Sequence, residues 1–173
     1  NDVILAVGHS ARDTFEMLHE LNVPMSRKPF AIGARIEHRQ TMVNRSQYGA
    51  AANHPALGAA DYKLSVHLPN GRAAYTFCMC PGGTVVAAAS EEGGVAVNGM
   101  SYFARDGENA NSALLISVAP EDFGGDDPLA GVRFQRKWEQ AAFAAGGGDY
   151  SAPAQTVGDF LARRPSVHGG AVR

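Results

Sequence analysis

The chain has 173 residues, 45% hydrophobic and 18% charged, with a formal net charge of −2. That length and composition suit one globular domain with its own core. No basic run exceeds Arg163-Arg164 and no apolar run reaches membrane-span length, so neither nucleic acid nor a bilayer is an expected partner.

The chain opens at Asn1 without a methionine or a signal-type segment, and the apolar run "DVILAVG" begins almost at once. The expectation is a piece of a longer protein. Residues 3–8, "VILAVG", read as a strand buried on both faces and ending in a glycine turn. "HSARDTFEMLHELN" follows as a helix, with Ser10 placed to cap it and Asp13 three residues later completing a capping box. Strand, turn and capped helix form half of a βαβ unit.

"FAIGARIEH" (30–38) reads as the next strand, "RQTMVNRSQYG" as a short helix, and "AAANHPALGAAD" as a loop. "YKLSVHL" (62–68) alternates in period two, and Asn70-Gly71 is the preferred dipeptide of a two-residue hairpin. Folding about it pairs Leu68 with Ala73, Val66 with Tyr75, Leu64 with Phe77 and Tyr62 with Met79. That register expects Tyr62, Leu64, Val66, Tyr75, Phe77 and Met79 in the core. It sets Lys63 opposite Cys78 and Asp61 near Cys80 on the other face.

"TVVAAAS" (84–90), "GVAVNG" (94–99), "MSYFAR" (100–105) and "SALLISV" (112–118) read as further strands. After residue 127 a long helix starts at Pro128 and ends at three glycines. "AQTVGDFLARR" is a last short helix, and the tail 166–173 reads as disordered. Strands followed by helices indicate an α+β fold with a mostly antiparallel sheet that could curl into a partial barrel.

The only two cysteines stand in "TFCMCPGGTVV". Two thiols cannot build a disulfide framework, so a reducing cytoplasm is expected. Zinc favours two close pairs of ligands. Here there is one Cys-x-Cys, and the histidines (9, 19, 38, 54, 67, 168) are scattered. A disulfide between residues i and i+2 of one strand would be strained. The readings left open are a reactive thiol, with Lys63 beside Cys78 stabilising the thiolate, and two small strand fillers. Pro81-Gly82-Gly83 can be a plain turn, or a stretch of bare backbone that lets a flat ring or an anion approach. Gly8-His9-Ser10 could likewise seat a phosphate on free amides. No G-x-G-x-x-G and no P-loop pattern accompany it.

Taken in order, "VILAVGHSARDTFEML", "KPFAIGARIEH", the block from "YTFCMCPGG" to "SALL", and "APAQTVGDFL" resemble the bacterial flavoproteins described as FAD-dependent, or NAD(FAD)-utilising, dehydrogenases. The resemblance implies an oxidoreductase with FAD in the full-length parent and NAD(P)H as an electron donor, but no cofactor held by this stretch alone. Residues 1–22 then correspond to a strand and helix of the FAD-binding domain, with Val7 where relatives carry Thr. Residues 23–165 form a substrate domain lying over the flavin, and 166–173 a tail. Gly8, His9, Ser10, Pro81, Gly82 and Gly83 become the cofactor-side residues, and Cys78, Cys80 and Lys63 the candidates for chemistry. The partners implied are the rest of the same chain, including its FAD-binding domain, and a small-molecule substrate. On this reading the Cys80–Gly83 turn lies at the surface. A stand-alone α+β binding module without chemistry is the rival reading.

Overall fold

The computed structural model describes residues 2–166 and 171–172. Its elements are α1 (Arg12–Glu20), β1 (Phe30–Arg39), α2 (Gln40–Tyr48), β2 (Ser65–His67), β3 (Ala73–Cys80), β4 (Gly83–Ala88), β5 (Ala96–Ser101), β6 (Asn109–Val118), α3 (Ala130–Ala145), β7 (Ala152–Pro153), α4 (Val157–Leu161) and β8 (Ala171–Val172). The fold is α+β. A four-stranded antiparallel sheet in the order β1-β6-β3-β2 is accompanied by two-stranded ladders β4-β5 and β7-β8, and the described residues close no barrel.

β1 and β6 pair along all ten residues, from Phe30 opposite Val118 to Arg39 opposite Asn109. The strand period of two divides them into two faces. Even-numbered β1 residues share a face with Ala110, Ser112, Leu114, Ile116 and Val118. One end of that face is covered by α3 and the short turn before it, where Phe30, Ile32, Val118, Phe123, Ala130 and Phe134 make a core. The Phe30 and Phe123 rings stack at 4.8 Å. The other end is covered by α2, where Val43 packs with Ala60 and Ala110 against Tyr48, Tyr62 and Met79. α2 can start directly after β1 because Gln40 replaces the missing helical partners. Its N–H donates to the Glu108 carbonyl at 2.9 Å, and its side-chain amide donates to Asn44 Oδ1 and the Ala60 carbonyl.

The expected strand at 3–8 does not form. Val3 and Ile4 are 90% and 93% exposed, and no described strand pairs with them. A strand exists only through its ladder, so an apolar run without a neighbour stays irregular. Ser10 is not the cap of α1. Ala11 holds that position without a side-chain bond, while Ser10 Oγ lies 3.1 Å from Ser90 Oγ. Asp13 accepts from the neighbouring Thr14 N–H, so no capping box is made.

The hairpin exists, shifted by one residue from the expected register. Val66 pairs with Ala74, Ser65 with Tyr75 and His67 with Ala73. The loop is Pro69-Asn70-Gly71, with the Gly71 N–H donating to the Leu68 carbonyl and only Gly71 at positive φ (81°). Pro69 suits the second position of a type I turn and Gly71 the left-handed residue after it, which makes a three-residue loop. Phe77 is consequently 57% exposed, and Leu64 and Val66 are exposed with it. Tyr62, Tyr75 and Met79 are half-buried.

The sequence "MSYFAR" continues β5 only as far as Ser101. Tyr102–Arg105 then turns, with the Arg105 N–H donating to the Tyr102 carbonyl, and the two aromatic rings stand in solvent. At the C-terminal end α4 is capped by Thr156, whose Oγ1 accepts from the Asp159 N–H. Ala171–Val172 pairs with Ala152–Pro153, where a structureless tail was expected. The rest of that tail, 167–170 and 173, lies outside the described residues.

Candidate functional site

β3 follows β6 in register from Ala74 opposite Ile116 to Phe77 opposite Ala113, then slips so that Cys80 faces Asn111. The extra residue is a β-bulge centred on Cys78, whose φ is +45°. A non-glycine residue in that region is strained, and Arg35 of β1 braces it. The Arg35 guanidinium donates to the Cys78 carbonyl at 2.6 Å and to Asn111 Oδ1 at 2.8 Å, and lies 3.6 Å from Cys80 Sγ. The Cys80 thiol in turn lies 3.3 Å from the Cys78 carbonyl. Above them β5 passes with Gly99, where a Cβ would overlap the guanidinium and Asn111 Oδ1. Asn111 is fully buried, and its Nδ2 has no hydrogen-bond partner.

The cation beside the thiols is therefore Arg35, not Lys63. The hairpin ladder, carried one step beyond the Leu64–Thr76 hydrogen bonds, sets Lys63 level with Phe77 rather than Cys78. Both cysteines are free, Cys78 exposed and Cys80 half-buried. Sequence reasoning missed Arg35, although a signal was present. In "GARIEHR", Arg35 and Glu37 share the strand face of Gly33, and two charges on one strand face imply partners. Glu37 has its own partner, accepting the Val85 N–H of β4 at 2.9 Å. Among the described residues no three His, Cys, Asp or Glu side chains converge as metal ligands would.

The Cys80-Pro81-Gly82-Gly83 turn was expected at the surface with bare amides. Pro81, Gly82 and Gly83 are instead buried. The Gly82 N–H donates to Gln40 Oε1 at 2.8 Å, and the Pro81 carbonyl accepts from Ser101 Oγ at 2.8 Å. A Cβ on Gly82, at φ +55°, would fall on the Arg105 carbonyl, and one on Gly83 on the Met100 carbonyl. The chain's own 100–105 segment thus takes up the close approach that the glycines permit.

Gly8-His9-Ser10 lies elsewhere. All three residues are exposed, and a Cβ on Gly8 (φ +76°) would meet nothing within 4 Å. Ser10 touches Ser90, just past the far end of β4 from Gly83. Six strand residues span ~17 Å, so the two halves of the expected cofactor site are separated by the length of β4. Beside Ser90 a cavity of about 450 Å³ opens between Ala87–Ala89 and Asp149–Ser151. Its edge is held by the Gly93 N–H donating to the Tyr150 hydroxyl.

The N-terminal segment is fastened there by charge. Arg12 is 1% exposed and donates to Glu91 Oε2 at 2.7 Å, to both Glu139 oxygens and to Gln135 Oε1. Arg136 makes a forked pair with Glu91 and reaches Glu16 of α1. The hydrogen bond from Arg136, joined by that from Arg12, holds the Glu91 carboxyl down from 4.5 to about 2. At the end of the sheet covered by α2, His38 Nε2 meets the Tyr62 hydroxyl at 2.7 Å, and burial pushes the Tyr62 phenol up.

Residues 29–173 match the family model described as FAD-dependent protein, C-terminal domain-like, and the chain belongs to that family. A relative from Clostridium beijerinckii, described as an uncharacterized protein, is 58% identical over 171 residues. The alignment covers 98% of this chain and 32% of the relative, so the chain spans about a third of that protein's length.

Proposed function

We propose that this chain is the substrate-side domain of a FAD-dependent oxidoreductase of the dehydrogenase type, forming one wall of its flavin site. The observation that carries the reading is the family match over 29–173, preceded by Val3–Val7, an exposed apolar segment with no partner strand among the described residues. Such a segment is stable only where another sheet pairs with it, and a flavin-binding domain of the same polypeptide would supply that sheet. Gly8-His9-Ser10 would then face the cofactor, which brings the redox chemistry when bound. This chain's residues position and enclose. The Ala87–Ala89 wall excludes water from one side, and the Arg12 cluster holds the joint between Gly8–Ser10 and the domain rigid. Cys78, exposed on its bulge, is the thiol that a small-molecule substrate could reach. The two free thiols suit a reducing cytoplasm.

The test is the absorbance spectrum of the full-length parent, followed by anaerobic titration with NADH, NADPH and dithionite. Flavin bands bleached by a reduced nicotinamide are expected. A colourless parent that stays colourless after reconstitution with FAD would overturn the reading.

A further inference from the structure

The even-numbered face of the main sheet is capped at its two ends, and between the caps Leu64, Val66, Leu114 and Ile116 stay exposed beside Ile32, which reaches the α3 core, and the buried Thr76. α3 covers the row of Phe30 and Val118, and α2 covers the row of Ala110. Between these caps the registers align two complete rows across four strands. The first runs Val66, Ala74, Ile116, Ile32, and the second Leu64, Thr76, Leu114, Ala34. Leu64 sits at the end of its row through the Thr76 N–H, which donates to its carbonyl. Seven of the eight residues are apolar and none is charged. Leu64 is 62% exposed, Val66 55%, Leu114 46% and Ile116 39%. Contiguous apolar surface of this kind, framed by two helices, marks an interaction site.

We infer that these two rows are the surface on which the rest of the same polypeptide docks. The occupant follows from length. The 58% identical relative carries two-thirds of its chain outside the matched part, and polypeptide of that size attached to this domain is the nearest available cover. The surface lies across the sheet from Arg35, Cys80 and the β4-β5 ladder. The inference rests on the proposed function only in taking this domain to be one part of a longer chain.

The experiment is hydroxyl-radical footprinting of the full-length parent at two protein concentrations, read at Leu64, Val66, Leu114 and Ile116. The expected result is loss of most of their reactivity relative to the same protein unfolded in urea, with no concentration dependence. Full reactivity of all four in the folded parent would overturn the inference. Protection that appears only at the higher concentration would assign the face to a second copy, and would overturn it too. The double variant L114E/I116E separates docking from simple folding. Val66 should regain reactivity while Phe123 and Ala130 in the adjoining core stay protected, and continued protection of Val66 would count against docking. The readout needs no flavin. Protected rows in a parent without flavin would leave docking standing and the flavoenzyme reading fallen, and reactive rows in a flavin-loaded parent the reverse.

Discussion

Gly82 and Gly83 have a packing reason to be glycine that no ligand is needed to explain. Each directs its missing Cβ at a carbonyl of the 100–105 segment, and Gly82 also holds a left-handed φ. Alanine at either position must push that segment away, as overpacking does elsewhere, at a cost of about 1–3 kcal/mol. Gly82→Ala and Gly83→Ala should each lower the thermal midpoint by several degrees. An unchanged midpoint would mean the turn can move off Met100 and Arg105 freely. The thiols differ by access. Cys78 is exposed on its bulge, while Cys80 is half-buried under Arg35. Iodoacetamide under native conditions should therefore alkylate Cys78 first, checked with Cys78→Ser and Cys80→Ser variants. Equal rates would show that the bulge opens as a unit.

Among the elements, the hairpin and the α1–α3 clamp carry the sharpest consequences. The one-residue shift in register turns Phe77 outward and leaves Phe123, 8% exposed, as the aromatic centre of the core. Phe123→Ala should cost about 3–5 kcal/mol in urea unfolding. Phe77→Ala should cost roughly 1 kcal/mol or less, in line with other substitutions at exposed positions. Similar losses at both sites would restore the register read from Asn70-Gly71. The clamp titrates. Glu91 has a folded pKa held down to about 2 against an ordinary 4.5. Its contribution is therefore fully present above about pH 4.5 and is lost as pH falls through about 2. Glu91→Gln should be the less stable protein at neutral pH, with the gap to the parent sequence closing across that window. Acid unfolding followed by circular dichroism reads it, and parallel curves would deny Glu91 its role in fastening α1 to α3.

For the whole molecule, the structure separates the two segments that the sequence had joined into one cofactor site. Gly8–Ser10 is open and exposed, while Pro81–Gly83 is sealed by the chain itself. Purified without the rest of the polypeptide, this chain should therefore be colourless and should not retain FAD through gel filtration. A yellow protein with stoichiometric flavin would mean that the Ala87–Ala89 cavity alone suffices.

Sequence patterns alone carry the α+β class, the positions of the strands at 30–38, 84–90 and 112–118, both helices beyond residue 127, and the kinship with FAD-dependent proteins. These follow from local signals: period-two alternation, Pro at a helix start, Gly at a helix end, and a specific Cys-Met-Cys-Pro-Gly-Gly block. The register of the hairpin comes from packing in three dimensions. Pro69 and Gly71 make a type I turn with a left-handed residue as readily as Asn70-Gly71 makes a two-residue turn, and one step of register exchanges every face. Only the tertiary structure brought Arg35 to Cys80 and Arg12 to Glu91 and Glu139, because those contacts join residues 45, 79 and 127 positions apart. Among the described residues it also left Val3–Val7 without a ladder. A strand's hydrogen bonds belong to its neighbour, and no local pattern of apolar residues can say where that neighbour is.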